Sequence, residues 1–366
     1  AAGKADVVVV TGGLGPTEDD LSARAAARAA GDSLVLDAEA LAWIESLFKA
    51  AGRKMHPANE KQAWLPKTAS RLDNPLGTAP GFAMDIGGAR FFFVPGVPRE
   101  MERMVAEEVI PRVRLMLGDR HGMAFSSAIL RTFGGTEARV GELVSGMEKD
   151  VPGVKVGLRA LFPEVQVKLY ARAQSREEVL DMLDRAGEAA AARLGHLLFS
   201  RGEDLEAVVG GLLQQKEHTL ALAESCTGGL VGHKITSVSG SSAYFLLSAV
   251  TYANAAKACI LGVDKEAIAK HGAVSQEVAA QMAEGAKRAV GADWGLSTTG
   301  IAGPTGGTEK KPAGMVCIGL AGPEKTTAHT FMFPFHRRRE NKEVFAWAAL
   351  DLLRRRLSGL PDPVYG

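Results

Sequence analysis

An apolar, β-branched run that ends in glycines is the feature that most constrains the fold of this chain. Residues 6–11 read DVVVVT and are followed at once by Gly12 and Gly13. Runs of this kind are typical of parallel strands that are buried on both faces of a sheet. The glycines let the backbone turn sharply and come close to a ligand such as a phosphate. The run therefore predicts a buried parallel strand followed by a ligand-binding loop.

Helices and strands alternate through the first third of the chain. Helical patterns cover residues 21–30, 38–51 and 99–117, and a second strand covers residues 90–94. This alternation predicts a layered α/β domain over residues 1–120.

The pattern then changes twice. Residues 121–200 predict a small α+β module, with helices at 137–147 and 176–194 and two strands between 154 and 171. Residues 201–362 return to an α/β pattern. Its predicted strands are 218–223, 244–252, 294–299 and 314–320, and its predicted helices are 203–215, 228–236, 276–290 and 340–357. A chain of 366 residues is expected to form more than one domain, because a single hydrophobic core usually stops growing at about 250–300 residues. A division into three domains agrees with this length.

Net charge, cysteine spacing and the longest uncharged segment argue against several classes of protein. The formal net charge is +1, from 43 basic and 42 acidic residues, so no overall field attracts nucleic acid or an anionic membrane. Cys226, Cys259 and Cys317 are odd in number and widely spaced, which argues against a disulfide framework or a zinc site. Residues 235–256 are uncharged but contain eight Ser, Thr or Asn residues, so we do not expect a transmembrane helix. We expect a cytoplasmic protein without a nucleic-acid or membrane partner.

Polar side chains gather at the ends of predicted strands in the third domain. Ser225 follows one strand, Tyr252, Asn254 and Lys257 follow the next, and Thr299 follows another. Open α/β sheets bind their ligands at such strand ends. If these strands are parallel neighbours, the side chains converge.

The segment AESCTGG offers two nucleophiles, Ser225 and Cys226. A serine needs a group that takes its proton, and a buried, neutral lysine such as Lys257 can do so. The N–H groups of Gly228 and Gly229 are candidates for stabilising an oxyanion. The alternatives are structural: Ser225 as a helix cap, Lys257 as a surface lysine and Cys226 as a packing residue.

A second glycine-rich segment, residues 298–314, contains Gly300 and Gly303. It is suited either to phosphate binding or to plain turns. Arg338 and Arg339, just before the last helix, would supply the opposite charge for a phosphate.

Four segments together, AESCTGG, TYANAAKACILGV, HGAVSQEVAAQMAEGA and TTGIAGPTGGT, resemble the C-terminal domain of the CinA family, the nicotinamide mononucleotide deamidases. The resemblance implies hydrolysis of the carboxamide to the acid, with release of ammonia and without a cofactor. It also implies roles: Ser225 as nucleophile, Lys257 as its base, assistance from Tyr252 and Thr299, and a late arginine, Arg339, that holds the substrate. The family has a Gly-Asp pair before that arginine, whereas this chain reads FHRR at residues 335–338, so the choice of arginine stays open.

Three further segments, TGGLGPTEDD, NPLGTAPGF and VPGVPREM, resemble the N-terminal, molybdopterin-binding-type domain of the same family. In some relatives this domain is a metal-dependent pyrophosphatase that acts on ADP-ribose. Asp20 and Glu100 are the candidate ligands for a divalent metal, although acids also favour helix N-termini for electrostatic reasons. The resemblance places a further strand and helix ahead of residues 6–11, and it matches residues 121–200 to the family's linking module.

Three hypotheses follow. The first is a Ser-Lys amidohydrolase that acts on a small nucleotide. The second is a metal-dependent pyrophosphatase in the first domain, and the third is a nucleotide-binding scaffold without catalysis. A homodimer is the default expectation for such enzymes.

Overall fold

The computed structural model describes residues 2–118, 123–333, 335 and 337–365. The chain divides into two compact units, residues 1–121 and 122–366. The predicted fold class, an α/β domain, a small α+β module and a second α/β domain, is confirmed.

The first unit is built on a mixed sheet of four strands with helices packed beside it. Its elements are β1 Val7–Thr11, α1 Ser22–Ala30, β2 Leu34–Leu36, α2 Ala38–Ala50, a 3₁₀ turn Pro57–Ala63, β3 Trp64–Pro66, β4 Ser70–Leu72, β5 Gly81–Ile86, β6 Ala89–Val94, α3 Pro98–Met104 and α4 Ile110–Leu117. The order in the sheet is β1-β6-β5-β4, and β2 pairs with β3 separately.

Strand β1 runs parallel to β6, as predicted, but it is not buried on both faces. Val9 is 44% exposed. Among the described residues, β1 pairs with β6 alone.

Strands β5 and β6 form a hairpin, of which the sequence predicted β6 but not β5. Gly87 and Gly88 join the two strands with φ values of 58° and 84°. Two-residue hairpin turns need positive φ at both positions, which glycine adopts without strain. Phe82 and Phe93 stack across the hairpin with ring centroids 4.4 Å apart.

The predicted helix 99–117 is interrupted. A π-turn, Val105–Val109, separates α3 from α4. Pro111 has no N–H to donate to the carbonyl of Glu107, so the regular hydrogen-bond ladder cannot continue through that point.

The second unit contains two sheets. The first is antiparallel, in the order β10-β7-β9-β8, with helices on one face. Its elements are β7 Ala124–Thr132, α5 Glu137–Val144, α6 Met147–Asp150, β8 Val154–Leu161, β9 Glu164–Ala173, α7 Arg176–Leu194 and β10 Leu198–Ser200. Ser175 and Glu178 form a reciprocal cap that fixes the start of α7.

The second sheet has the order β12-β11-β13-β14-β15. Its elements are α8 Leu205–Gln215, β11 Leu220–Glu224, α9 Leu230–Thr236, β12 Phe245–Val250, α10 Asn254–Leu261, α11 Lys265–His271, α12 Gln276–Val290, β13 Trp294–Gly300, β14 Met315–Ala321, β15 Thr326–Met332 and α13 Arg338–Leu357. Strand β11 is parallel to both β12 and β13, while β14 and β15 are antiparallel. The strands that precede the predicted polar site residues are therefore parallel neighbours, as the predicted convergence of these side chains requires.

The two sheets of the second unit share aromatic packing. Phe133 lies 5.5 Å from Trp347 and 5.3 Å from Tyr365, between ring centroids, and Phe199 lies 5.7 Å from Trp347. Residues 123–200 therefore have a core of their own but form one compact unit with the C-terminal sheet.

Across the described ranges, we find no helix of the length and apolar character that crossing a membrane requires. Residues 235–256 are divided among the end of α9, a 3₁₀ turn, β12 and the start of α10.

Candidate active site

Ser225 lies in the turn between β11 and α9. Its N–H donates to the carbonyl of Thr298 at 2.9 Å, which extends the sheet as far as this residue. Gly228 and Gly229 complete the turn with φ values of 61° and 91°, a conformation that favours glycine. The sequence SCTGG thus folds into a tight turn that holds Ser225 at the end of a central strand.

Lys257 lies in α10, which begins just after the edge strand β12. Its side chain is buried, with 1% of the residue exposed. The Lys257 Nζ lies 3.0 Å from Ser225 Oγ, 2.8 Å from the carbonyl oxygen of Thr251 and 3.1 Å from that of Tyr252. The two residues that were predicted to interact are therefore in hydrogen-bond contact.

The surroundings of Lys257 shift its protonation equilibrium. Burial lowers the pKa of Lys257, which moves the equilibrium toward the neutral amine. A neutral amine has two N–H groups and one lone pair. In that neutral form the two carbonyls would accept both N–H groups, which would leave the lone pair for the Ser225 hydroxyl. This geometry suits a general base.

Cys226 is a packing residue. Only 5% of it is exposed, and it belongs to the hydrophobic cluster beneath α13. Burial raises the pKa of the Cys226 thiol to about 12. Since the thiolate is the nucleophilic form, Cys226 is unreactive at neutral pH. A β-carbon on Gly300 would lie 3.2 Å from Cys226 Sγ, so Gly300 keeps this packing close.

Glu224 was not predicted, yet it holds the nucleophile turn together. It is 1% exposed at the end of β11. Its carboxylate accepts hydrogen bonds from the backbone N–H groups and hydroxyls of the surrounding turn: Thr227 Oγ1 at 2.7 Å, Gly229 N at 2.9 Å, Val231 N at 3.1 Å, Gly232 N at 2.8 Å and Ser248 Oγ at 3.2 Å. Glu224 therefore supplies the hydrogen-bond acceptor for backbone N–H groups at the N-terminus of α9, which have no acceptor within the helix.

The expected oxyanion donors must be revised because of these bonds. The Gly229 N–H donates to Glu224, and the Gly228 N–H donates to the carbonyl of Ser225 at 3.2 Å. Neither is free for an oxyanion in this arrangement. Within the described ranges, the N–H groups of Cys226 and Thr227 donate to no other residue. Cys226 directly follows the serine, the position from which one oxyanion donor comes in nucleophile elbows.

Tyr252 and Arg338 meet at the rim of the site. Tyr252 is 62% exposed, and Arg338 Nη2 donates to its hydroxyl at 3.1 Å. Arg338 Nη1 donates to the carbonyl of Gly303 at 3.1 Å. Arg339 and Asn254 are exposed, and neither side chain has a hydrogen bond or salt bridge in the part of the chain that the structure describes. Arg338 therefore contacts two of the predicted site residues, and the choice between Arg338 and Arg339 as the substrate-binding arginine stays a prediction.

Thr299 lies within β13 rather than after it. Its hydroxyl donates to the carbonyl of Ala273 at 2.8 Å. Glu224 pairs with Thr298 in the sheet, so Ser225 and Thr299 lie side by side. Thr299 therefore shapes the wall next to the nucleophile.

Asp20 and Glu100 line one cavity of the first unit, about 590 Å³ in volume, together with the glycine loop at Gly12 and Gly13. The Asp20 carboxylate accepts from Thr17 N at 3.0 Å, and hydrogen bonds from Thr17 lower its pKa. Within the described ranges, no group of three His, Cys, Asp or Glu side chains is placed to hold a metal. Carboxylates are ligands of Mg²⁺, which usually completes its shell with water and substrate phosphates, and a metal site at Asp20 and Glu100 stays a prediction.

Models of three protein families match the chain. The CinA C-terminal domain matches residues 202–357, the probable molybdopterin binding domain matches residues 1–115, and the damage-inducible protein CinA KH domain matches residues 127–200. A CinA-like protein of Desulforapulum autotrophicum is 45% identical over 360 residues, which cover 97% of this chain and 85% of the relative. The chain belongs to the CinA family. A CinA-like protein of Geobacter sulfurreducens is 46% identical over 354 residues, or 96% of this chain and 85% of the relative.

Solved structures of the family cover part of the chain. The competence/damage inducible protein CihA from Agrobacterium tumefaciens is 34% identical and covers 43% of this chain and 97% of its own, with a TM-score of 0.41. The competence damage-inducible protein A from Klebsiella pneumoniae is 30% identical and covers 42% of this chain and 95% of its own, also with a TM-score of 0.41.

Proposed function

We propose that this CinA protein is an amidohydrolase that converts nicotinamide mononucleotide to nicotinate mononucleotide and ammonia at the Ser225 site. The observation that carries the proposal is the buried contact of 3.0 Å between Lys257 Nζ and Ser225 Oγ. A hydroxyl beside a neutral, buried amine is the arrangement of Ser-Lys acyl-transfer sites.

The first half of the reaction forms an acyl-enzyme. The Ser225 oxygen attacks the carboxamide carbon while its proton passes to Lys257 Nζ. The oxyanion forms near the N–H groups of Cys226 and Thr227. The C–N bond then breaks, the protonated Lys257 returns a proton to the amide nitrogen, and ammonia leaves. The carbonyl now forms an ester with Ser225.

The second half of the reaction uses water. Lys257 is neutral again and accepts a proton from a water molecule that attacks the ester. When the ester bond breaks, Lys257 gives that proton to the Ser225 oxygen and restores the hydroxyl. The carboxylate product leaves. Throughout, the carbonyls of Thr251 and Tyr252 hold the amine in place.

The test compares two neighbouring side chains. Ser225→Ala removes the nucleophile, so ammonia release from nicotinamide mononucleotide should fall by at least about 10⁴-fold. Cys226→Ala is the matched control, and its activity should stay within about threefold because the thiol is buried and protonated. Ammonia is measured by a coupled assay, and circular dichroism checks folding. Retained activity in Ser225→Ala, or loss in Cys226→Ala alone, would refute the assignment.

A second proposed activity rests on the cavity that contains Asp20 and Glu100 together with the glycine loop. We propose that this cavity hydrolyses a nucleotide pyrophosphate when a divalent cation is bound, with the cation supplying charge stabilisation of the phosphates. Asp20 and Glu100 would hold the cation, and the glycine loop would approach the substrate phosphates.

A further inference from the structure

A lysine that the sequence did not single out lies over the nucleophile turn. Lys342 is in the second turn of α13, and a β-carbon built on Gly228 would lie 3.5 Å from Lys342 Nζ. Lys342 is half-buried. Gly228 has φ 61° and no side chain, so the space beside the amine stays open. The amine therefore faces the turn that carries Ser225.

The acids near Lys342 on the helix have other partners. Glu343 pairs with Lys234, and Glu340 pairs with Arg337 at 3.4 Å. Within the described ranges, Lys342 is in no salt bridge. Binding of an anionic ligand stabilises a half-buried ammonium that has no opposite charge beside it.

Arg338 and Lys342 are four residues apart, so they lie on the same face of α13. Arg338 reaches Gly303 and Tyr252 at the rim, while Lys342 reaches the turn itself. Two cations of different shape thus flank the site. Arg338 uses both terminal nitrogens for protein contacts, whereas Lys342 has three donors without a described partner.

We propose that Lys342 binds the phosphate of the substrate and makes the site selective for a phosphorylated amide over the same amide without phosphate. This inference rests on the proposed amidohydrolase function and names Lys342 as the residue that recognises the substrate phosphate. Arg338 holds the rim loop through Gly303 and contributes to the same positive field.

The experiment compares nicotinamide mononucleotide with its riboside, which differs by the phosphate alone. In Lys342→Gln, kcat/KM for the mononucleotide should fall by about tenfold or more, mainly through KM, and kcat/KM for the riboside should stay within about twofold. Lys265→Gln is the control, because Lys265 is an exposed lysine of the same unit. It should leave both substrates unchanged. Orthophosphate should inhibit the wild type competitively and inhibit Lys342→Gln more weakly.

The outcomes separate the two proposals. If Lys342→Gln loses the same factor on both substrates, or on neither, Lys342 does not read the phosphate. If the wild type releases ammonia from neither compound, the amidohydrolase proposal is wrong. Titration calorimetry with orthophosphate then tests Lys342 alone: weaker binding by Lys342→Gln supports a phosphate site there, and equal binding by both proteins overturns it.

Discussion

In the second unit, the Ser225 hydroxyl and the Lys257 amine are already in contact at 3.0 Å, and the carbonyls that hold the amine are in place. In the first unit, the carboxylates of Asp20 and Glu100 share a cavity, but each accepts hydrogen bonds from a neighbouring side chain. The difference concerns what each site needs from outside the chain. In the proposed functions, the serine site contains its own nucleophile and base, whereas the acidic cavity would need a cation and a phosphate to become a reactive site.

After the Ser225 substitution, the largest expected effect is the loss of the proposed base. Lys257→Met keeps the length and the apolar stem of the side chain but removes the amine. We expect kcat for amide hydrolysis to fall by about 10³-fold or more, because the serine proton has no acceptor. Pyrophosphate hydrolysis in the first unit should be unchanged. Parallel assays of both reactions on one preparation provide the internal control for folding.

The pH profile gives the same test without a mutation. Burial lowers the pKa of Lys257 from its usual value of 10.5, and only the neutral amine accepts a proton. Amidohydrolase kcat/KM in the wild type should therefore rise with pH through this lowered pKa and level off above it. A rate that falls over the same range would contradict the role of Lys257 as a base.

The next effect concerns Glu224, whose carboxylate accepts five hydrogen bonds from the turn that carries Ser225, from α9 and from β12. Glu224→Gln places an NH₂ group where one oxygen accepted an N–H. We expect a loss of about 2–3 kcal/mol in the free energy of unfolding in urea. We also expect kcat to fall by about tenfold with little change in KM, because the turn positions Ser225 without touching the substrate.

Glu284→Gln is the matched control for Glu224, since Glu284 is exposed on α12. It should change neither stability nor kcat. If Glu224→Gln is as stable and as active as the wild type, the carboxylate does not hold the turn.

The contact between Ser225 and Lys257 followed from the sequence because it depends on strand ends. Ser225 and Lys257 follow neighbouring parallel strands, and parallel strands bring their carboxyl ends to one edge. Glu224 was missed because an acid at the end of LALAE looks like the exposed end of a strand. The available signal was its position just before a glycine turn and a helix N-terminus, where backbone N–H groups need an acceptor.

The sequence could not show which of the residues at the start of α13 faces the site. Arg338 and Arg339 are adjacent, and which of them faces the site depends on where α13 begins. Arg337, the residue before that helix, makes no side-chain cap that would mark its start. The oxyanion donors were misplaced for a similar reason, because the glycines shape the turn while their own N–H groups are bonded within it.

The smallest effect on the amidohydrolase reaction, and the sharpest test of the comparison, comes from the first unit. Asp20→Asn or EDTA should leave ammonia release within about twofold, because neither touches Ser225 or Lys257. Either one should abolish pyrophosphate hydrolysis if Asp20 holds the cation. Glu102→Gln, which alters an exposed acid on α3 two residues beyond Glu100, is the control and should preserve both activities. Loss of ammonia release with EDTA would mean that the serine site also depends on a cation, and the contrast between the two sites would then fail.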